Sequence, residues 1–486
     1  MSGRASHSTY DTIAEIWTAV GLPSFALGAL RLPNADNVGL PSSYKVGQLA
    51  QATIALTALA ATLIHTSRQG DRPAALHKLP TVTVPLDHAC IEFRSERFYT
   101  INGHAPAKEQ HAIGGLHSTK DGHVRIHDGF PHHRAAALHL IGCLPNASTE
   151  TIKRQLLQYS STYLETRAFR SGAIIAALRS CEEWDSSPQA SAVADFPVLI
   201  TKIAEGPAPG WKAHLDSGGR KCLAGLRVLE FSRVLAAPVC GRTLAVHGAD
   251  VLWVTSPKLP SLPALDKDTA RGKRSIQLDL TDKSDTQTFD TLCQDVDVVI
   301  QGYRPGALAA KGVSKEELLK KTKGGLVYAS LSAYGSSGPW SKHRGFDSIV
   351  QTQSGINVSE ADHYGQGEAS RVLPCQALDH ASGYFLAFAI MTALYKQATE
   401  GGSYAVEVSL AGTMKYLKSL GQYPGNTGFD CTDASRQADL PVGMLETKIS
   451  QFGSLKAVKH AATIDGLEVG WDRMPRPLGS DEPRWL

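Results

Sequence analysis

A single carboxylate stands at the start of an alanine-rich, apolar segment of this sequence. Asp379 lies in LPCQALDHASG, and the pattern from Ala377 onward predicts a helix. The first turn of a helix has unpaired backbone N–H groups and a dipole that stabilises negative charge. From position alone, Asp379 is either a plain helix-capping aspartate or a nucleophile that forms a covalent intermediate. We treat its neighbour His380 as secondary, because adjacent side chains on a helix point apart.

The elements that would position such a nucleophile follow from hydrophobic patterning. Apolar runs alternate with helical segments after about residue 223, which predicts a parallel α/β sheet buried on both faces. A doubly wound sheet binds its ligand at the carboxyl ends of its strands. In this sequence those ends are Ser232-Arg233, Thr255-Ser256, Tyr303-Arg304 and Ser332 to Gly335.

Several common chemistries are not supported. The turn after the first strand reads SRVLAAPVCG, so the glycine pattern of dinucleotide-binding folds is absent, as are the NTPase phosphate loop and the serine-hydrolase elbow. Histidines cluster in one short stretch, but no cysteine is near them and carboxylates occur only in predicted turns. We therefore predict no metal site and a histidine-rich surface hairpin instead. The histidines are His117, His123, His127, His132 and His133.

Composition narrows the class of protein. The 486 residues include 49 Lys and Arg and 46 Asp and Glu, so the net charge of 49 − 46 = +3 favours neither a nucleic-acid-binding protein nor a polybasic membrane protein. The apolar fraction of 42% predicts a globular protein with a large core. The stretch Val46 to Thr66 is apolar, but its uninterrupted part is shorter than the ~20 residues that span a bilayer, so we predict a buried helix.

Compartment is inferred from cysteines and from targeting signals. The eight cysteines include no Cys-x-x-Cys pair, which disfavours a disulfide scaffold or a structural zinc site. The start MSGRASHSTYDTIAEIW has no continuous apolar region, and the final Arg-Trp-Leu is not the usual peroxisomal tripeptide. We therefore expect a cytoplasmic protein in a reducing compartment.

Two alanine-rich segments resemble each other. When Leu394 is matched with Leu63, the offset is 394 − 63 = 331 and Asp379 falls on Gln48. One interpretation is that two such helices look alike by composition. The other is a duplication in which the second copy kept the carboxylate and the first lost it.

Six motifs follow one another between about Leu223 and Leu410. They are GLRVLEFSRVLAAPVCGRTLAVHGADVLWV, RGKRSIQLDL, VIQGYRPGALAAKGV, LVYASLSAYGSSGPW, RGFDSIVQTQSG and the Asp379 helix. In this order they resemble the family III CoA-transferases, the CaiB/BaiF family that includes formyl-CoA and carnitine CoA-transferases and 2-methylacyl-CoA racemases. Val46 to Trp184 more weakly resembles the later half of the same family, through KDGHVRIHDGF.

The resemblance implies transfer of coenzyme A between an acyl-CoA thioester and a carboxylic acid, with Asp379 as nucleophile. In that chemistry, the aspartate carboxylate attacks the thioester to form a mixed anhydride. CoA thiolate then makes an aspartyl-CoA thioester, and the acceptor carboxylate takes over the CoA. This is covalent catalysis, and it needs N–H donors for the oxyanion and cations for the CoA phosphates. Acyl-CoA is a substrate here, and no permanently bound cofactor or metal is implied.

The same matching predicts the CoA-binding residues. They are Arg233, Val234, Leu235, Lys273, Tyr303, Arg304 and Arg344. Three positions depart from the family pattern: Thr255-Ser256 follow the second strand where arginine is usual, Gly302 replaces an asparagine, and Ala310 replaces an arginine. These departures put CoA affinity in doubt and favour, as one alternative, a non-catalytic acyl-CoA-binding relative.

A second alternative is a 2-methylacyl-CoA racemase or epimerase. The racemase branch of the family moves an α-proton with a histidine in the middle of a Gly-x-Asp motif. Phe346 occupies that position here and cannot accept a proton. Transfer is therefore favoured over racemisation, unless His343 or His380 substitutes.

The predicted architecture is α/β, with a large Rossmann-like parallel-sheet domain and a smaller α+β domain. We predict a degenerate or permuted CaiB/BaiF-like part with the small domain at 1–212 and a linker at 213–222. A Rossmann-like domain at 223–425 and a C-terminal extension at 426–486 follow, and the extension carries no functional signal. Relatives form interlocked homodimers, so we expect a homodimer or an internal pseudo-dimer. The predicted partners are acyl-CoA and carboxylic acid substrates, with neither nucleic acid nor a membrane.

Overall fold

The computed structural model describes residues 3–69, 79–107, 111–215 and 219–486. Its α-helices are α1 (Thr9–Ala19), α2 (Val46–Ser67), α3 (Leu86–Glu92), α4 (Pro131–Leu140), α5 (Thr149–Leu156), α6 (Ser161–Ser171), α7 (Cys181–Asp185), α8 (Pro188–Ala192), α9 (Ala236–Val246), α10 (Pro263–Thr269), α11 (Lys283–Cys293), α12 (Lys315–Lys321), α13 (Asp347–Gln353), α14 (Ile356–Tyr364), α15 (Ala377–Glu400) and α16 (Leu410–Ser419).

The strands are short outside the main sheet. They are β1 (Leu30–Arg31), β2 (Val82–Thr83), β3 (Thr100–Ile101), β4 (Gly115–Ser118), β5 (His123–Ile126), β6 (Ile175–Ala177), β7 (Leu199–Ala204), β8 (Arg227–Phe231), β9 (Asp250–Thr255), β10 (Arg274–Gln277), β11 (Val298–Gln301), β12 (Val327–Ser332), β13 (Ser403–Ser409), β14 (Leu445–Ser450), β15 (Gly453–Val458) and β16 (Thr463–Ile464).

The main sheet has the order β10-β9-β8-β11-β12-β13-β7. Every neighbouring pair is parallel except β13 and β7, which pair antiparallel at the edge. Without β7, this is the doubly wound strand order, in which the chain direction across the sheet reverses between β8 and β11. The predicted α/β class and the Rossmann-like sheet are confirmed, and the reversal marks where a ligand is expected.

Two long helices form the centre of the core. α2 and α15 pack against each other, and α15 also packs on α9. By length and composition, both helices could cross a membrane, but the apolar windows of both are fully buried inside the protein. The prediction of a buried helix over Val46 to Thr66 is confirmed.

The smaller α+β domain is built from β4, β5 and β6, an antiparallel sheet covered by α4, α5 and α6. In the sequence, turn residues at both ends of Asp121 to Phe130 predict a strand or hairpin, and β5, which pairs with β4 and β6, confirms it. The alternation of apolar and polar residues from Leu79 to Phe93 predicts a strand, which is wrong for the second half of this stretch. There, Pro85 precedes the helix α3, which buries Leu86 and the run from Ala89 to Glu92.

Segments on both sides of residues 213–222 contribute to shared sheets. β7 precedes these residues and completes the main sheet, while β15 near the C-terminus pairs with β3, and β16 pairs with β2. Segments from the N-terminal and C-terminal parts of the chain therefore pair with each other beside the Rossmann-like sheet. The domain boundaries given above stay predictions, and residues 216–218 of the linker lie outside the described residues.

Candidate active site

A cavity of about 350 Å³ lies at the carboxyl ends of β8 and β11, the two strands between which the strand order reverses. It is lined by the turn after β8, the turn after β11, the end of β12, the segment before α13, and the start of α15. The α+β domain covers it from the other side. The lining residues are Phe130, His132, His133, Arg233, Val234, Leu235, Ala236, Ala237, Leu259, Gly302, Tyr303, Arg304, Ala307, Leu331, Ser332, Ala333, Arg344, Gly345, Phe346, Asp379 and Leu410.

Seven of the eight residues predicted for the site meet in this cavity. They are Arg233, Val234, Leu235, Tyr303, Arg304, Arg344 and Asp379. Their positions span almost 150 residues of sequence, and the parallel sheet brings them to one edge because all its β-α crossovers begin there.

Lys273 is the predicted CoA-binding residue that the structure places elsewhere. Its ammonium group lies 2.8 Å from a carboxylate oxygen of Glu230 and donates a hydrogen bond to the carbonyl of Pro238 at 2.7 Å. Both side chains of the ion pair are buried. A carboxylate on the central strand β8 needs a cation, since an unpaired buried charge is strongly destabilising. Lys273 therefore neutralises Glu230 and does not line the cavity.

Asp379 lies in the first turn of α15, with 7% of its surface exposed. Its backbone N–H and that of Leu378 donate hydrogen bonds to the Asp347 carboxylate, at 3.0 and 2.8 Å. The neighbouring carboxylate thus caps the helix, and the Asp379 side chain is left facing the cavity. Asp379 is the carboxylate that the cavity presents to a ligand.

The surroundings of Asp379 favour its protonated form. Burial raises its pKa well above the ordinary value, and the nearby carboxylates of Asp347 and Glu96 raise it further. Burial also raises the pKa of Asp347 to about 6, although its backbone hydrogen bonds act in the opposite direction. A carboxylate with little solvation and no cationic partner is a more reactive nucleophile once it is ionised.

A second buried pair stands behind Asp379. The His380 ring nitrogen Nε2 lies 3.1 Å from an oxygen of Glu96, and the ring stacks on Phe93 with centroids 5.4 Å apart. Burial raises the pKa of Glu96, but the hydrogen bond and charge of His380 outweigh it, so the pKa is lowered overall. His380 is directed into this pair and does not line the cavity. Sequence reasoning missed Glu96, which is 284 positions away.

Three arginines provide the positive charge of the cavity. Within the described residues, none of the guanidinium groups of Arg233, Arg304 and Arg344 forms an ion pair with a carboxylate. Burial lowers the pKa of Arg344, and the charge of Arg304 lowers it further, which shows that the two cations repel each other. Unpaired guanidinium groups at a cavity are suited to bind phosphate or carboxylate anions.

The α+β domain adds an aromatic wall that sequence reasoning did not identify. His127 stacks on Phe346 with ring centroids 3.7 Å apart and an interplanar angle of 4°. The Arg233 guanidinium lies over Phe130, 4.3 Å from the ring centroid, and His133 contacts both phenylalanines edge-on. The predicted surface hairpin thus belongs to the domain that forms one wall of the cavity. The only signal for this part in the sequence was the weak resemblance carried by KDGHVRIHDGF.

The wall histidines are poor proton carriers near neutral pH. Loss of solvation lowers the pKa of His127 to about 4, and burial with neighbouring cations lowers that of His133 to about 3. At neutral pH, His127 and His133 are therefore uncharged rings in the wall. Among the described residues, no group of three metal-ligating side chains converges anywhere.

Two of the three departures from the family pattern, at Gly302 and at Thr255-Ser256, have local structural explanations. A Cβ on Gly302 would lie 2.6 Å from the Cβ of Ala237, so the close approach of the β11 turn to α9 excludes asparagine. Thr255 and Ser256 line a small adjoining cavity together with Arg233, the same cation that lies over Phe130. Arg233 thus contributes a cation where the second strand contributes none.

The turn after β8 holds a strained residue. Val234 has φ of +72°, a left-handed conformation that is unusual for a β-branched side chain. The residue lines the cavity and directly precedes the start of α9. Strain of this kind persists where the surrounding structure enforces it, and it commonly accompanies function.

Parts of this chain are similar to known proteins. Residues 223–439 match the family model described as CoA-transferase family III. The chain is 31% identical over 350 residues to acetyl-coenzyme A transferase nodX of Hypoxylon pulicicidum, an alignment covering 68% of this chain and 58% of that protein. It is 26% identical over 265 residues to the alpha-methylacyl-CoA racemase of Mus musculus, covering 53% of this chain and 68% of the racemase.

A third relative has a solved structure. The chain is 32% identical over 207 residues to the probable fatty acyl-CoA transferase Rv3272 of Mycobacterium tuberculosis, covering 40% of this chain and 52% of that protein. A crystal structure of Rv3272 matches with a TM-score of 0.37 and 30% identity, covering 41% of this chain and 57% of the crystallised one. The chain thus spans little more than half the length of these two transferases.

Proposed function

We propose that this protein transfers coenzyme A between an acyl-CoA thioester and a carboxylic acid, because residues 223–439 match the family model described as CoA-transferase family III. Asp379 is the nucleophile. The observation that carries the proposal is the position of this buried carboxylate in a cavity that also presents three arginines, none of which pairs with a carboxylate in the part of the chain that the structure describes. The Asp379 carboxylate can form the covalent intermediate, and the three arginines can bind the anionic groups of both substrates.

The reaction proceeds through two anhydrides. A carboxylate oxygen of Asp379 attacks the thioester carbon, the C–S bond breaks, and CoA leaves as thiolate. The thiolate attacks the aspartyl carbonyl and releases the first carboxylate, which leaves an aspartyl-CoA thioester. The acceptor carboxylate and the thiolate then repeat both steps in reverse order, so Asp379 is regenerated.

The CoA-binding roles follow the cavity. Arg233, Arg304 and Arg344 bind anionic groups of CoA or of the acceptor acid, and Tyr303 lines the same cavity. The backbone around Val234 and Leu235, at the start of α9, supplies N–H donors for negative charge. No permanently bound cofactor takes part. The free thiols of all eight cysteines support our proposal of a reducing, cytoplasmic compartment.

The test is acyl exchange with a trap for the intermediate. Purified protein is incubated with a panel of acyl-CoAs and mixed carboxylates, and new acyl-CoAs are identified by mass spectrometry. Asp379→Asn keeps the size of the side chain but removes the nucleophile, so new acyl-CoAs should vanish. Hydroxylamine added to the reaction should convert Asp379 of the wild type into its hydroxamate. Exchange that survives in Asp379→Asn would overturn the role of Asp379.

Racemisation is the second candidate, supported by the similarity to the mouse racemase. The substitutes considered for Phe346 do not face the cavity: His380 pairs with Glu96, and His343 stacks on Phe169 at 3.7 Å. His132 and His133 do line it. Running the same assay in D2O with a 2-methyl-branched acyl-CoA separates the candidates, since deuterium at the α-carbon without new thioesters indicates racemisation. Binding of acyl-CoA without either signal indicates a non-catalytic binding protein.

A further inference from the structure

The similarity of the two alanine-rich helices extends to their three-dimensional placement. α2 begins at Val46 and α15 at Ala377, a difference of 377 − 46 = 331 that equals the offset between the matched leucines. The residues before them adopt the same backbone conformation: Lys45 has φ, ψ of −77°, 54° and Gln376 has −76°, 64°. Similar composition does not by itself dictate the same start and the same cap.

The elements around the two helices repeat as well. α1 contains Tyr10-Asp11-Thr12-Ile13 and precedes α2, with β1 between them, whereas α13 begins in Phe346-Asp347-Ser348-Ile349 and precedes α15, with α14 between them. A strand follows each long helix and precedes a helix whose first residue is leucine: Leu86 follows β2 after two intervening residues, and Leu410 follows β13 directly. The two parts share the order helix, long helix, strand and helix, with β1 added in the first and α14 in the second, and we call them the first and second copy.

The first copy has lost the nucleophile. Gln48 occupies the position of Asp379, and its amide donates hydrogen bonds to the carbonyl of His7 and to the hydroxyl of Thr12, both at 2.9 Å. The side chain is buried and contacts its own copy. The first copy therefore has a structural amide where the second has a carboxylate that faces a cavity.

What surrounds the two copies is complementary. In the described residues before 213, only β7 belongs to the main sheet, so the first copy has no Rossmann-like part of its own. In the described residues after α16, the strands β14, β15 and β16 form no counterpart of the α+β domain of β4, β5 and β6. The first copy carries the wall and the second carries the sheet and the nucleophile.

The segment from β6 to β7 connects the α+β domain to the main sheet, and it contacts the loop after β12 and the helix α16. The Gln189 amide donates to the carbonyl of Tyr334 at 3.0 Å and accepts from the Trp340 N–H at 2.7 Å. The Lys415 ammonium donates to the carbonyl of Val193 at 2.8 Å. β7 then pairs antiparallel with β13. These contacts fix the described path from β6 to β7, so this connection gives the α+β domain no free tether with which to reach another molecule.

We infer that each chain completes its cavity in cis: the N-terminal copy is catalytically silent and supplies the aromatic wall over Asp379 of the same molecule. Phe130 and His133 are its wall residues. The inference goes beyond the proposed CoA transfer, because it concerns which molecule supplies the wall. A single chain is then a complete catalytic unit, in contrast to the interlocked homodimer expected from relatives.

The direct test is a photo-crosslink that needs no activity. Phe130→p-benzoylphenylalanine places the reactive ketone beside Arg233 in the full-length protein. Irradiation should give a crosslinked product of monomer mass whose joined peptides contain positions 130 and 233. The matched control is Tyr163→p-benzoylphenylalanine, an exposed aromatic of the same domain, which should give no such product. A covalent dimer from position 130, or no crosslink there, overturns the inference.

A complementation test covers the case in which the bulky residue disturbs folding, and this arm rests on the proposed transfer. Asp379→Ala lacks the nucleophile, and His133→Glu adds a negative charge to the wall that repels anionic substrates. Co-expression of the two variants should give no more activity than either alone. If walls were exchanged between two chains, random pairing would restore about a quarter of wild-type activity. Restoration overturns the inference, whereas an inactive wild type contradicts only the proposed function.

Discussion

Asp347 accepts a hydrogen bond from the backbone N–H of Asp379 over 3.0 Å, so two buried carboxyl groups share the start of one helix. Burial and mutual repulsion make it costly for both to ionise together. The same contact fixes the backbone of Asp379, the proposed nucleophile. Asp347 therefore both positions Asp379 and opposes its ionisation.

Asp347→Asn should move the acid limb of the activity profile to lower pH. The amide oxygen can still accept the two backbone N–H bonds, but the negative charge that raises the pKa of Asp379 is removed. A lower pKa means that Asp379 is ionised at lower pH. The measurement is kcat/KM for acyl exchange as a function of pH. Asp266→Asn is the control, because burial raises the pKa of Asp266 to about 6 but it lies in the adjoining cavity. An unshifted limb in Asp347→Asn would contradict the coupling.

His127→Phe should reduce the loss of stability in acid. The folded protein lowers the pKa of His127 to about 4 from an ordinary 6.5, so between these values the unfolded chain binds more protons. Stability from this site is therefore present above about pH 6.5 and is lost as pH falls towards 4. Phenylalanine keeps the stacking on Phe346 and cannot be protonated. Urea unfolding at pH 7 and pH 5 measures the change, with His139→Phe on exposed α4 as control. If the free energy of unfolding falls equally between pH 7 and pH 5 in His127→Phe and in the wild type, His127 is not a neutral, stacked ring.

Lys273→Met should lower the stability of the protein, whereas Arg304→Gln should weaken the binding of acyl-CoA. Lys273→Met leaves Glu230 buried without a cation and should lower the free energy of unfolding by about 3–5 kcal/mol. Glu230→Gln in the same chain should recover much of this loss. Arg304→Gln should raise the KM for acyl-CoA and leave the Tm unchanged, because Arg304 has no carboxylate partner among the described residues. Calorimetry measures the stability of the three variants, and steady-state kinetics measures their KM for acyl-CoA. A large KM effect confined to Lys273→Met would restore its role in CoA binding.

Val234→Gly and Val239→Gly should change stability in opposite directions. Glycine adopts the left-handed conformation of position 234 without strain, so unfolding should require about 1 kcal/mol more despite the added freedom of the unfolded chain. Val239 lies buried in the middle of α9, where glycine leaves a cavity and weakens the helix, and the loss should be about 3 kcal/mol. Chemical denaturation at one pH measures both. Destabilisation by Val234→Gly would mean that position 234 is not strained in solution.

Local pattern in the sequence was sufficient for the elements that carry the site. The apolar runs of β8, β9, β11 and β12 predict a parallel sheet because both of its faces are buried. The carboxyl ends of these strands then point to the ligand edge, and the ordered motifs single out Asp379 at the start of α15. These inferences succeed because each depends on residues close together in the chain.

Only the tertiary structure decided which polar groups meet. Lys273 stands in a motif that resembles a CoA-binding segment, yet its partner is Glu230, 43 positions away. Glu96 and His127 reach the neighbourhood of Asp379 and Phe346 from the first half of the chain. Their importance comes from burial and from contacts across the fold, and neither leaves a trace in local sequence. The sequence by itself determined the sheet, the edge at which its parallel strands end, and the position of Asp379 at the start of α15. Packing of the α+β domain and of the N-terminal segments against this sheet determined the wall, the charge balance and the protonation of the cavity.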